Sequence, residues 1–342
     1  MTTNERELRQ PVDLCTPDGT GLNPEARGWS RRPLHRANLV GEHGRNKRWD
    51  YWAVLAGDTV VSALCSDLDT FALADAWWAD LTDGSSGGAG TLAASDDMTI
   101  PDRPGTEPIR FRDDVISVSF VDDAVGTHLN ASWAEPDGRP GSLEVLVELP
   151  EGHESLNVVI PWDDDHFNFT SKHQARPASG TLTVGSDTTV IGGPDNPAWG
   201  ILDVGRGRWP SPINWNWGGG AGEAVTGQVV GLQFGAKWTA GSGFTENGFL
   251  VDGRLTKIGR ELDWDYHWDD PMRPWRIVDP DGQIDVVLTP RFDKHTAVGD
   301  ETLGSETHQV FGTFAGSVRT DDGTTIDFDR LQGFAEEARQ RW

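Results

Sequence analysis

Short runs in which apolar and polar residues alternate at period two recur along the chain, and they constrain its fold more than any other feature. Ile116, Val118 and Phe120 form one run, and Leu143, Val145, Val147 and Leu149 another. Val230, Leu232, Phe234, Ala236 and Trp238 alternate with Gly231, Gln233, Gly235 and Lys237. Such alternation sends successive side chains to opposite faces of a β-strand. Turn signals separate the runs: Asp137-Gly138, Glu151-Gly152, Asp252-Gly253 and Asp281-Gly282. Roughly eight strands per half, with no strand–helix–strand rhythm, predict an all-β fold of two consecutive up-and-down barrels. A pair of β-sandwiches is the competing arrangement.

Residues 1–172 are read as an N-terminal barrel with a polar leader, and residues 173–342 as a C-terminal barrel. The boundary is placed where polar residues dominate, around Ser171 to Ala178. Gly84 to Gly90 predicts a flexible loop, without the GxxxxGK[ST] pattern of a phosphate cradle. Asp329 with Gln332 three residues on resembles a helix capping box. Leu331, Phe334, Ala335, Ala338 and Trp342 then share a helical face, so a short C-terminal helix is expected.

The net charge of −25 disfavours nucleic acid and anionic membrane surfaces as partners. Lysine occurs only at Lys47, Lys172, Lys237, Lys257 and Lys294. Abundant aspartate with few lysines suggests a halophilic, salt-adapted protein or one from a high-GC soil bacterium. No apolar run is long enough for a membrane span and no apolar leader begins the chain, so a cytoplasmic location is expected. Cys15 and Cys65 are far apart and suit neither a disulfide framework nor a thiolate metal site. Asp163-Asp164-Asp165-His166 lacks the calcium-loop spacing, and no GxSxG elbow occurs. Neither a cofactor nor a metal is expected.

One stretch concentrates unusual chemistry: Asp203-Val204-Gly205-Arg206-Gly207-Arg208-Trp209-Pro210, followed by Asn214-Trp215-Asn216-Trp217-Gly218-Gly219-Gly220. Asp203 and Arg206 either form a structural ion pair, or Asp203 sits in an apolar pocket and acts as a general acid. Arg208 is expected to face solvent. Trp209, Trp215 and Trp217 supply rigid area that grips a hydrophobic ligand and stabilises a cation through the ring face. The glycines at 218–220 suggest close approach to a ligand or a sharp bend. Glu246 is a second acid candidate, with Asn247 beside it; the orientation of its strand stays open. His35, Asp50 and Trp52 form a further polar-aromatic group in the first half. Arg48, Asp50 and Trp52 share one strand face there, and Trp49, Tyr51 and Ala53 the other.

With Trp29-Ser30-Arg31-Arg32-Pro33-Leu34-His35, Lys47-Arg48-Trp49-Asp50-Tyr51-Trp52, the Asp203–Pro210 motif, Thr245-Glu246-Asn247 and Val251-Asp252-Gly253-Arg254-Leu255, the chain resembles the family called domain of unknown function 2804 over nearly its whole length. That family is more distantly similar to calycin-type proteins of two lipocalin-like barrels, among them hydroxyneurosporene synthase, tocopherol cyclase and certain bacterial Diels–Alderases. The resemblance implies the fold and a hydrophobic pocket, and transfers no reaction. Two functions follow as expectations. One is a cofactor-independent hydratase, cyclase or isomerase acting on an isoprenoid or lipid-like molecule, with Asp203 and Glu246 as acids. The other is a non-catalytic binding or carrier protein for a hydrophobic small molecule.

Overall fold

The period-two runs become strands, and the computed structural model describes them through residues 5–41, 44–299 and 304–341. Among these residues no α-helix occurs. Thirteen strands form one sheet and nine another, while Val12–Asp13 pairs in parallel with His35–Arg36. The path of the first sheet begins with Ser86–Ala93, Ala72–Asp80, Thr59–Asp67, Asn46–Ala56, Ala198–Arg208 and Phe167–Val184. It continues through Pro140–Glu148, Gly126–Ala134, Ile116–Asp122 and Ile109–Arg112. The second sheet runs Arg254–Ile258, Asn247–Val251, Val229–Ala236, Ile213–Glu223, Thr325–Arg341, Gly304–Arg319, Ile284–Gly299, Trp275–Val278 and Asp263–Asp265.

Both sheets curl around filled cores. The carboxylate of Glu135 ties one end of the first sheet to the other, accepting from Trp78 Nε1 at 2.7 Å and Gly88 N at 3.1 Å. Inside, Trp52, Val54, Val118, Phe120, Val145 and Leu202 pack together. The second sheet encloses Leu232, Phe234, Trp275, Val286, Phe314 and Leu331. Burying each such side chain is worth about 1.5–3 kcal/mol, and these layers make two curled, barrel-like halves. No helix is long and apolar enough to cross a membrane among the described residues.

Three local expectations change. The C-terminal helix is instead the strand Thr325–Arg341. Its backbone is paired on both sides, with Ile213–Glu223 and with Gly304–Arg319, and that sheet context overrides the helix propensity of Ala, Glu, Gln and Arg. Leu331 and Ala335 enter the second core while Phe334 faces the other way; Trp342 lies outside the described residues. Gly84 to Gly90 is not wholly loop, because Ser86–Ala93 pairs with Ala72–Asp80 as an edge strand. Finally, Lys172 and His173 fall inside the Phe167–Val184 strand. Ala198–Arg208 still belongs to the first sheet, so the change of sheet comes at 209–212.

Candidate active site

The sheets meet through the faces turned away from their own cores. Ala53, Leu55 and Ile201 from the first pack against Trp217, Phe311 and Phe334 from the second. Beside this contact lies a cavity of about 380 Å³, within the size range of small-molecule sites. Trp49, Tyr51, Lys172 and Asp203 line it from the first sheet, and Trp217, Gln309, Lys294 and Glu336 from the second. Trp209, Trp215, Trp238 and Glu246 complete the indole-rich end. This cavity lies outside both cores, in the space between the two sheets.

Strand register explains how the polar groups face one another. Across the first sheet Lys172 pairs with Asp203, Asp203 with Tyr51, and Tyr51 with Leu64. Across the second, Gly235 pairs with Trp217, Trp217 with Glu336, Glu336 with Gln309, and Gln309 with Lys294. Two glycines make room within these rows. A Cβ at Gly205 would collide with the Trp49 indole, and one at Gly235 with the Glu246 side chain. Trp49 therefore lies across Gly205, with Nε1 donating to Asp203 Oδ2 at 3.2 Å. Glu246 folds across Gly235, and its Oε1 accepts from Trp238 Nε1 at 3.0 Å.

Lys172 is the hub of the charges. Its Nζ stands 2.7 Å from Asp203 Oδ1, 3.5 Å from Glu246 Oε2 and 4.3 Å from the Trp217 ring centroid. Burial alone would lower its pKa, but the Asp203 and Glu246 carboxylates outweigh burial and hold it above the ordinary value. Burial drives the Glu246 pKa up from 4.5 to about 7; Lys172 opposes that rise and Asp203 adds to it. Glu336 is also raised to about 7 by burial, against the Trp215 hydrogen bond and the more distant Lys172 charge. Its Oε1 accepts from Trp215 Nε1 at 2.7 Å and its Oε2 from Gln309 Nε2 at 2.9 Å. Glu246 Oε2, by contrast, has only the longer 3.5 Å contact with Lys172 Nζ. The cavity thus holds two carboxyls that change protonation near neutral pH, with their titrations linked through Lys172 and Asp203. Four indoles, Trp49, Trp162, Trp215 and Trp238, pack edge and face around Trp209, with Trp238 stacked on it at 5.1 Å and 13°.

The sequence candidates divide accordingly. Asp203, Glu246, Trp209, Trp215 and Trp217 come together at the cavity. Arg206 does not pair with Asp203. It is fully buried, 2.6 Å from Asp50 Oδ1, and donates to the Pro101, Trp49 and Gly205 carbonyls. Arg206 and Asp50 are therefore a structural pair away from the cavity, since adjacent strand positions face opposite ways. Trp52 sits in the first core beneath the Arg176 guanidinium, 5.1 Å from its ring centroid. His35 is buried against Phe169, donates Nε2–H to Ala26 O at 2.9 Å, and is pushed down to about 4 by burial. Asn247 accepts from Gly235 N and donates to Arg260 O, holding backbone together. Arg208 is buried rather than solvent-facing and ties Asn46, Gly19, Thr20 and Val40 together. Gly219 leaves room for the Phe334 ring, which a Cβ would approach to 2.8 Å; protein packing, not a ligand, occupies that space.

Lys172, Glu336, Gln309, Tyr51 and Lys294 are site residues that the sequence reading did not select. Lysine scarcity is the one signal that pointed to Lys172 and Lys294, while Glu336 was hidden in the expected helix. Two other polar groups are structural. Asp163 accepts from the Asp165 and His166 amides, closing a turn. His295, Glu306 and His308 bring potential ligand atoms within 4.8 Å of one another. The two imidazoles, however, are stacked 4.2 Å apart at 4°, so no single ion lies in both ring planes.

An all-β protein of two curled sheets with an acid- and indole-lined cavity between them is the class that these features define. The chain belongs to the family described as Domain of unknown function (DUF2804), whose family model matches residues 5–342. Among curated proteins none matches this chain. Similar solved structures include an AttH-like protein of Nitrosomonas europaea, at 11% identity and TM-score 0.47, covering 88% of this chain and 95% of that one. Kievitone hydratase of Nectria haematococca is 12% identical with TM-score 0.46, covering 99% and 98%. CghA in complex with Sch210972 is 10% identical with TM-score 0.45, covering 87% and 89%.

Proposed function

We propose that this protein is a cofactor-independent acid–base enzyme that protonates a carbon–carbon double bond of a hydrophobic, isoprenoid or lipid-like substrate. The observation that carries the reading is the pair of buried carboxyls, Glu246 and Glu336, both raised to about 7 in one indole-lined cavity. A general acid works best when its pKa lies near the working pH.

Glu246 is the proton donor, because its Oε2 has only a long 3.5 Å contact with Lys172, whereas both oxygens of Glu336 accept short hydrogen bonds. Its O–H bond breaks as a C–H bond forms at the alkene, and the π electrons leave a carbocation. The face of Trp215 stabilises that cation, by about 0.5–2 kcal/mol. Water then attacks the cation and gives its proton to Glu336, yielding a hydrated product; loss of a neighbouring C–H proton to Glu336 instead yields an isomer. Exchange with solvent returns the proton to Glu246. Asp203 keeps Lys172 in place as the fixed counter-charge, so Glu246 alone takes the acid role expected of the two and Glu336 is the base.

The test is incubation in deuterated water with unsaturated isoprenoids such as geraniol and linalool, followed by mass spectrometry. Carbon-bound deuterium is expected in the product with wild type and absent with Glu246→Gln. Tight binding without deuterium incorporation in any member of the set would replace the enzyme reading with a carrier.

A further inference from the structure

Lys47, Lys172 and Lys294 line the cavity, and the last two stand in opposite circumstances. Lys172 is saturated by Asp203 and Glu246. Lys294, on the far side of the Glu336 row, forms no ion pair among the described residues. Its Nζ lies 3.4 Å from Ser62 Oγ and 4.4 Å from the Trp77 ring centroid. That ring is itself stacked on Phe311, with centroids 5.6 Å apart. An ammonium held over an indole in an apolar wall, with one long hydrogen bond, is poorly compensated for the water it has lost. Burial accordingly lowers its pKa, with Asp75 and Glu336 pulling the other way.

Register gives the scale. Gln309 stands between Lys294 and Glu336, so two strand spacings place those two backbones about 10 Å apart. Gly235, over which Glu246 folds, lies two strands further in the other direction. The ends of the lining therefore differ in chemistry. Glu246, Trp238, Trp209 and Trp215 form an acid-and-indole end, whereas Lys294, Thr296 and Thr307 form a cationic, hydroxyl-bearing end.

We infer that the substrate is an elongated hydrocarbon with an anionic oxygen group, of carboxylate type, at one end, and that Lys294 binds that group while the unsaturated portion reaches Glu246. The inference rests on the cavity being the ligand site proposed above. Lys294 supplies binding and register, so that the alkene rather than another carbon meets the acid. A ligand anion adds a direct partner for Lys294 without disturbing the Lys172 cluster.

The experiment compares a matched pair of probes, geranic acid and geraniol, at pH 7, by quenching of intrinsic tryptophan fluorescence. A charge-assisted hydrogen bond corresponds to about a tenfold to hundredfold preference. Wild type should favour geranic acid by at least about tenfold, and Lys294→Arg should keep that preference. Lys294→Met and Lys294→Gln should bind the two probes alike, with circular dichroism confirming the fold. Equal affinities in wild type, or a preference surviving in both neutral variants, would overturn the inference. Because the readout is binding, that outcome leaves the proton-transfer chemistry of Glu246 untouched. Failure of wild type to bind either probe would overturn the inference and the cavity reading together.

Discussion

Replacing Glu246 by glutamine should stabilise the protein by an amount that grows with pH. The buried carboxyl holds its proton up to about 7, against 4.5 for an ordinary glutamate. The folded state therefore binds this proton more tightly than the unfolded chain. Its contribution to stability is fully present below 4.5, declines as pH rises through about 7, and is constant beyond. Each pH unit of separation is worth about 1.4 kcal/mol, so ionising Glu246 costs the folded state about 3 kcal/mol at alkaline pH. Glutamine keeps the side-chain shape and an acceptor for Trp238 but never ionises. The difference in unfolding free energy, Glu246→Gln minus wild type, should thus increase by about 2–3 kcal/mol between pH 5 and pH 8.5. Urea denaturation followed by circular dichroism at both pH values measures it, and the subtraction removes the titration of all other groups except those coupled to Glu246. A difference that stays flat with pH would refute the burial argument. A difference that falls with pH would show Glu246 to be a carboxylate stabilised by Lys172.

Other substitutions test the supporting geometry. Lys172→Met leaves Asp203 and Glu246 buried beside each other without their cation, and should cost about 3–5 kcal/mol in urea denaturation at pH 8; adding Asp203→Asn should recover part of that loss. Gly205→Ala drives a methyl group into the Trp49 indole and should cost about 1–3 kcal/mol, with a shift in tryptophan emission as the Trp49–Asp203 hydrogen bond breaks. Arg206→Met should lower stability by about 3–5 kcal/mol by stranding buried Asp50, yet leave geraniol affinity of the folded protein unchanged, because Arg206 faces away from the cavity.

Much of the architecture was legible because its signal is local. Period-two alternation placed Trp49 and Tyr51 on one face and Asp50 and Trp52 on the other, and the structure divides them between the cavity and the first core in that way. The Asp203–Gly220 stretch was recognisable because glycine beside indole and charge is unusual. What could not be read was which strands become neighbours. Asp203 meets Lys172 rather than Arg206 because Phe167–Val184 pairs with Ala198–Arg208, a relation that composition and spacing do not carry. Glu336 was obscured for a related reason. Ala, Glu, Gln and Arg favour a helix in isolation, but a strand paired on both sides has no choice of period. The cavity itself belongs to neither half alone, so a search confined to one barrel misses it.

The central claim is that two carboxyls in the space between the sheets change protonation near neutral pH. It is tested most directly by carbon-13 NMR titration of protein labelled at the glutamate side-chain carboxyl. Two resonances should titrate with midpoints near 7, one missing in Glu246→Gln and the other in Glu336→Gln. Complete ionisation of every glutamate below pH 5.5 would contradict the account.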